Sequence, residues 1–180
     1  MDEAQVIALV RKGNADAFAE IVEHYQAPIS RYLYRLTGDH EVTQDLLQDT
    51  FLKAYQSILK TDAELSFKAW LYRIATNNAL QYNRRRRLIS FIPFADSTKH
   101  DTPTLEASSD HVEERLLIEE ALLKIPLDQK ACMVLHFVEG LKYREIADVL
   151  GVTEDAVRKR VARGSKEFRK LYKQGGGEVK

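Results

Sequence analysis

A single cysteine, Cys132, stands among 180 residues, so no internal disulfide can hold this chain together. That fits a reducing compartment. Metal chemistry finds little to use: His24, His40, His100, His111 and His136 lack ligand spacing, and one thiol cannot complete a zinc set. His100 and His111 flank a Pro- and Ser-bearing stretch, where a bland linker outweighs a metal or pH sensor. No apolar run approaches the roughly 18 residues that cross a bilayer. The start, Met1-Asp2-Glu3-Ala4, is acidic and lacks the basic-then-apolar order of a secretory signal. Neither a glycine-rich phosphate loop nor a nucleophile motif occurs. The expectation is a cytoplasmic protein without membrane contact of its own, with no catalytic residue, cofactor or metal.

What is present is a foldable composition, 44% hydrophobic and 30% charged. The formal net charge of zero hides strong patterning. From Thr153 to Lys173 eight basic residues face three acidic ones, and Arg84-Arg85-Arg86-Arg87 forms a second basic cluster. Four acids lie between Asp39 and Asp49, and six between Glu106 and Glu120. Basic faces suit phosphate; acidic faces suit another partner.

Periodicity is helical nearly throughout. Val6, Ile7, Leu9 and Val10 begin an amphipathic segment that Gly13 stops. Asp16 is placed to cap a second helix, with Phe18, Ile21, Val22, Tyr25, Ile29, Tyr32, Leu33 and Leu36 at helical spacing, Pro28 as a candidate kink and Gly38 as its end. A third helix is predicted from about Glu41 to Leu59, turning Leu47, Phe51, Ala54, Tyr55 and Ile58 inward. After a loop from Lys60 to Ser66, a fourth runs from about Phe67 to Arg87. No alternating strand pattern appears. Between Leu88 and Ser109 the period fails, with Pro93 and Pro103 against a continuous helix. It returns at Val112, passes Leu116, Leu117, Leu122 and Leu123, and stops near Pro126. The fold class is all-α: two small helical domains, 1–88 and 112–174, joined by a flexible linker, 89–111, with a glycine tail, 175–180.

The last 50 or so residues read as a helix-turn-helix. Asp128 is placed to cap a helix through Met133, Val134, Phe137 and Val138, which Gly140 ends. Tyr143 to Leu150 forms a short helix, and Gly151 supplies a turn at positive φ. Thr153 caps the next helix, with Glu154 and Asp155 at its positive end. Val157, Val161, Gly164, Phe168 and Leu171 make its inward stripe, while Arg158, Lys159, Ala162, Arg163 and Lys166 fall on or beside the outer face. Such a helix can enter a major groove, where Arg and Lys address guanine edges and phosphates.

On the third helix Asp45, Gln48, Asp49 and Leu52 share a face at i, i+3, i+4 and i+7. By charge alone this strip is a solvated face or a docking surface; an acidic enzyme site lacks a nucleophile or metal set nearby. The fourth helix places Trp70, Tyr72, Arg73 and Asn77 ahead of the four arginines, a mixture suited to single-stranded DNA. Trp70, Leu71, Ile74 and Ala75 fit a core equally well.

Three segments, in order, resemble a known family. Thr43-Gln44-Asp45-Leu46-Leu47-Gln48-Asp49-Thr50-Phe51-Leu52-Lys53-Ala54-Tyr55 resembles the core-binding segment (region 2.2) of bacterial extracytoplasmic-function (ECF) sigma factors of the sigma-70 family. Phe67-Lys68-Ala69-Trp70-Leu71-Tyr72-Arg73-Ile74-Ala75-Thr76-Asn77 is similar to its promoter-melting segment, and Leu141 to Val152 to its region 4 helix-turn-helix. The resemblance implies a factor without a catalytic centre that gives RNA polymerase its promoter specificity. It assigns Asp45, Gln48, Asp49 and Leu52 to the β′ clamp helices, and Lys53, Thr61, Arg73, Asn77, Arg84 and Arg85 to melted minus-ten DNA. Lys142, Tyr143, Arg158, Lys159, Arg160, Ala162, Arg163 and Lys166 fall to the minus-thirty-five duplex. The β flap of core polymerase, promoter DNA and an anti-sigma factor are the implied partners. Members commonly have Phe at the position of Thr61, Asp at Gln81, Ser at Lys159 and an aromatic at Ala162. These departures bear on which promoter sequences are preferred. A stand-alone helix-turn-helix repressor or activator, or a structural α-domain without a DNA role, would explain the second half alone.

Overall fold

The computed structural model describes residues 3–58, 66–90 and 109–177, with backbone alone at 89–90 and 109–111. Among the described residues there are eight α-helices and no strand: α1 (Glu3–Arg11), α2 (Ala15–Thr37), α3 (His40–Ile58), α4 (Phe67–Ser90), α5 (Ser109–Leu123), α6 (Leu127–Phe137), α7 (Tyr143–Leu150) and α8 (Glu154–Gln174).

Asn14, not Asp16, caps α2: its side-chain oxygen accepts from the Asp16 and Ala17 amides at 3.1 and 3.3 Å. Asp16 instead sits in the first turn, where its charge meets the positive end of the helix. Pro28 lies inside α2, which continues through it to Thr37. Gly38 then ends the helix at φ 70°. A Cβ there would collide with Leu123, so this glycine serves both the turn and a close approach of α5.

The inner face of α3 differs from the expected one. Leu46, Thr50, Phe51, Ala54 and Ile58 are buried, whereas Leu47 is half-buried and Tyr55 is exposed. Thr50 tolerates burial because its hydroxyl donates to the Leu46 carbonyl at 2.6 Å. The helices reach slightly into the expected linker, 89–111: α4 runs to Ser90 and α5 starts at Ser109. The remaining stretch, 91–108, lies outside the described residues.

One apolar cluster runs through both halves. Ile21, Ile29, Tyr32, Leu33, Leu71 and Tyr72 anchor the first; Leu135, Ile146, Val149 and Val157 anchor the second. Buried Tyr32 satisfies its hydroxyl on Thr76 Oγ1 at 2.7 Å. The halves meet where α2 packs on α5 and α6, and α4 on α6 and α7. Three polar contacts cross this seam. Lys130 Nζ donates to the Leu36 carbonyl at 2.9 Å, Lys68 Nζ to the Glu139 carbonyl at 2.6 Å, and the Tyr72 hydroxyl to the Glu139 carboxylate. These lysines and Glu139 have the composition of surface residues, so the sequence carries no visible sign of the seam.

Lys130 is only 3% exposed, and burial pushes its ammonium down to about 8 from 10.5. The unfolded chain therefore holds more protons between those values, and the cost of burying Lys130 fades as pH rises through them. Buried Tyr32, Tyr72 and Cys132, all pushed up by burial, work in the opposite sense and lose their contribution at high pH. Comparison with Lys130→Met isolates the lysine. Denaturant unfolding should show the stability difference moving in favour of wild type by up to ~3 kcal/mol from pH 7 to pH 10. A pH-independent difference would mean that the ammonium is not desolvated.

Candidate nucleic-acid interface

The helix-turn-helix is built from α6, α7 and α8. The Lys142 amide donates to the Glu145 carboxylate at 2.8 Å, tying down the start of α7. Gly151 ends α7 at φ 64°, and the Thr153 hydroxyl accepts the Ala156 amide at 3.2 Å, as their positions predict. Asp128 does not cap α6, which begins at Leu127 after Pro126. Its carboxylate reaches Arg160 at 3.3 Å instead. Phe137 and Val138 are exposed; α6 turns Ala131, Cys132, Met133, Val134 and Leu135 inward. On α8, Val157, Val161 and Gly164 are buried as expected, but Phe168 and Leu171 only partly, and Tyr172 takes an inner place.

This packing sorts the basic residues of α8. Arg158, Lys159, Ala162, Arg163 and Lys166 are exposed on one side, with Lys142 exposed and Tyr143 half-buried beside them. Arg160 departs from the expected set: half-buried and paired with Asp128, it faces α6. Arg158 pairs with Glu154 at 3.2 Å and lies 6.0 Å from the Tyr143 ring centre. Lys159 pairs with Asp155 at 2.7 Å, and this ammonium holds the Asp155 carboxyl below its ordinary value. Both acids lie in the first turn of α8, so they favour the helix and order the cations that follow. Arg163 and Lys166 have no ion-pair partner among the described residues, leaving them available to phosphate or base edges.

In the first half, Asp45, Gln48, Asp49 and Leu52 are all exposed along α3, Leu52 by 54%. Lys53 is exposed too, and its Nζ donates to Asn78 Oδ1 at 2.5 Å, while the Asn78 amide donates to Thr50 Oγ1 at 3.1 Å. Its partner, Asn78, is buried. Asn77 is exposed on α4 with Arg73, Gln81 and Arg84, four positions on one stripe. The sequence signal for Asn78 is its place on the helical stripe of Leu71, Ala75, Asn78 and Tyr82, where an amide marks a satisfied polar contact. A groove of about 310 Å³ between α3 and α4 brings Asp45, Asp49, Lys53, Gln81 and Arg85 together. Trp70 is core, 5.3 Å from the Phe67 ring. Thr61, the loop from 60 to 65 and His100 lie outside the described residues, as does the His111 side chain. No helix among the described residues is long and apolar enough to cross a membrane.

Comparison with known proteins matches two separate stretches of the chain. Residues 21–89 match the family model described as Sigma-70 region 2, and residues 115–168 that described as Sigma-70, region 4. The chain is 31% identical to the ECF RNA polymerase sigma factor SigW of Bacillus subtilis, covering 91% of this chain and 93% of the relative. It is 30% identical to the ECF RNA polymerase sigma-E factor of Haemophilus influenzae, covering 91% of each. Among solved structures, CnrH in complex with the cytosolic domain of CnrY is similar with a TM-score of 0.70 at 23% identity, over 94% of this chain and 96% of that one. The sigma factor RpoE in complex with the anti-sigma factor NepR from Bartonella quintana gives 0.68 at 23% identity, over 87% and 96%.

Proposed function

Because this chain belongs to the ECF sigma factors of the sigma-70 family, whose work is promoter-directed transcription initiation, we propose how its surfaces divide that work. The first half, through α4, is the unit that docks on core RNA polymerase and captures the melted minus-ten strand. The second, from α5 to α8, reads the minus-thirty-five duplex. The strip Asp45, Gln48, Asp49 and Leu52 meets the β′ clamp helices, and the β flap is the second polymerase contact. Exposed Arg73, Asn77, Arg84 and Arg85 follow the single strand on α4, with Lys53 beside them and Thr61 in the preceding loop. Extruding a base there costs a few kcal/mol, least at easily unpaired steps.

The observation that carries this reading is the pairing, in one chain, of an exposed acidic strip on α3 with an exposed basic face on α8. A stand-alone repressor or activator would need only the second, and the match to region 2 over 21–89 leaves that alternative without support. Each DNA contact is small, so the chain alone should bind promoters weakly, with polymerase joining the two sites. An anti-sigma factor is a further proposed partner. Purified core polymerase supplemented with this chain should initiate at specific promoters. Failure to do so, combined with tight binding of the chain alone to duplex DNA, would sink the proposal.

Arg163 tests the upstream contact. Arg163→Ala should cost about 1–3 kcal/mol at the preferred minus-thirty-five element if the guanidinium reads a base. Competition binding of the holoenzyme to native and scrambled elements measures this. An equal loss on both would assign Arg163 to phosphate.

A further inference from the structure

A second groove, of about 370 Å³, lies between the two halves, away from the acidic strip on α3. Its apolar lining includes Leu36 and Leu123. Its charged lining has one sign: Arg86 and Arg87 from α4, Lys124 just after α5, and Lys130 from α6, with no carboxylate among the described lining residues. Lys130 is the unusual member. Its ammonium has three protons to donate and is almost fully buried, with the Leu36 carbonyl as its hydrogen-bond acceptor and no ion pair among the described residues. Buried cations in folded proteins are normally paired with an anion, because a carbonyl offsets only part of the lost hydration.

We infer that this groove is a binding site for a small phosphate-bearing anion, no larger than a nucleotide, held by Lys130, Arg86 and Lys124. The volume lies near the low end for small-ligand pockets. A DNA duplex is too wide to reach a lysine as deeply buried as Lys130. Several cations around one small space favour a multivalent anion over a single carboxylate, and the planar fork of Arg86 suits two phosphate oxygens. Among the described residues Lys124 pairs with Glu120 alone, at 2.7 Å on the exposed surface, a pair weak enough to exchange. Arg86 comes from the first half and the two lysines from the second, so a bound anion stabilises the packed arrangement over a separated one. The inference stands on the groove alone and does not depend on the transcription reading.

Calorimetric titration of the full chain with inorganic pyrophosphate tests it, without magnesium and at ionic strength matched with potassium chloride. One-to-one binding with Kd below about 1 mM is expected. Arg86→Gln with Lys124→Gln, both exposed, should weaken it at least tenfold, and Lys130→Met should do the same. If Lys130→Met fails to fold, the exposed pair decides. Saturation absent up to about 10 mM, or affinity unchanged in the Arg86 and Lys124 variant, overturns the site. Equal affinity for citrate overturns the phosphate class.

Discussion

Asp49→Arg is expected to weaken binding to core RNA polymerase by about 10- to 100-fold, ~1.5–3 kcal/mol, while leaving the fold intact. Asp49 is exposed at the middle of the strip, one turn from Asp45 and one from Lys53, and its carboxylate closes no ion pair among the described residues. Reversal of an exposed charge away from the core changes stability by only about 0.5 kcal/mol. Against a basic partner surface, however, it replaces attraction with repulsion. Asp49→Asn removes the attraction alone and should show a smaller loss, so the two variants together separate charge from shape. Fluorescence anisotropy of labelled chain titrated with core polymerase reads the affinity, and circular dichroism checks the helices. Unchanged affinity in Asp49→Arg would detach this strip from polymerase and leave it a solvated face.

The helices were legible because apolar spacing survives burial, and Gly38, Gly151 and Thr153 sit where backbone geometry and capping demand them. Residue type is a weaker guide to position than spacing is. Tyr55 is aromatic yet exposed, in edge contact with Phe18, and Thr50 is polar yet buried, since a hydroxyl can be satisfied on its own helix. Asp128, at a position that predicts a cap, pairs instead with Arg160 of α8. The half-turn offset of Arg160 from Arg158 was visible in the sequence, but the carboxylate opposite was not. The seam was the least legible feature. Lys68, Lys130 and Glu139 meet Glu139, Leu36 and Tyr72 across long sequence separations, and no local pattern announces such pairs.

That seam leads to the other large expected effect. Linking the two halves covalently should abolish promoter-directed transcription, by about 100-fold or more on the scale of losing one of two joined sites. The argument is one of reach. Minus-ten and minus-thirty-five elements lie roughly 25 base pairs apart, which at about 3.4 Å each is roughly 85 Å. A compact body of 180 residues has a radius of gyration near 16 Å, hence a diameter of about 40 Å. On the proposed division of the chain, α4 and α8 packed as they are cannot occupy both elements. Between the end of α4 at Ser90 and the start of α5 at Ser109, residues 91–108 can span about 60 Å when extended, enough to close the shortfall. Separation must break the Lys130, Lys68 and Tyr72 contacts and expose the apolar seam, a cost that polymerase and promoter together have to exceed. Lys68→Cys with Glu139→Cys, joined by a short bismaleimide, holds the halves together at this seam. Cys132 is fully buried with its thiol pushed up to about 11, so it should not react. The unlinked double variant, lacking the Glu139 contacts, should transcribe at least as well as wild type. A cross-linked chain that still initiates at wild-type rates would show that one packed body serves both elements, and the two-site division of the chain would fall.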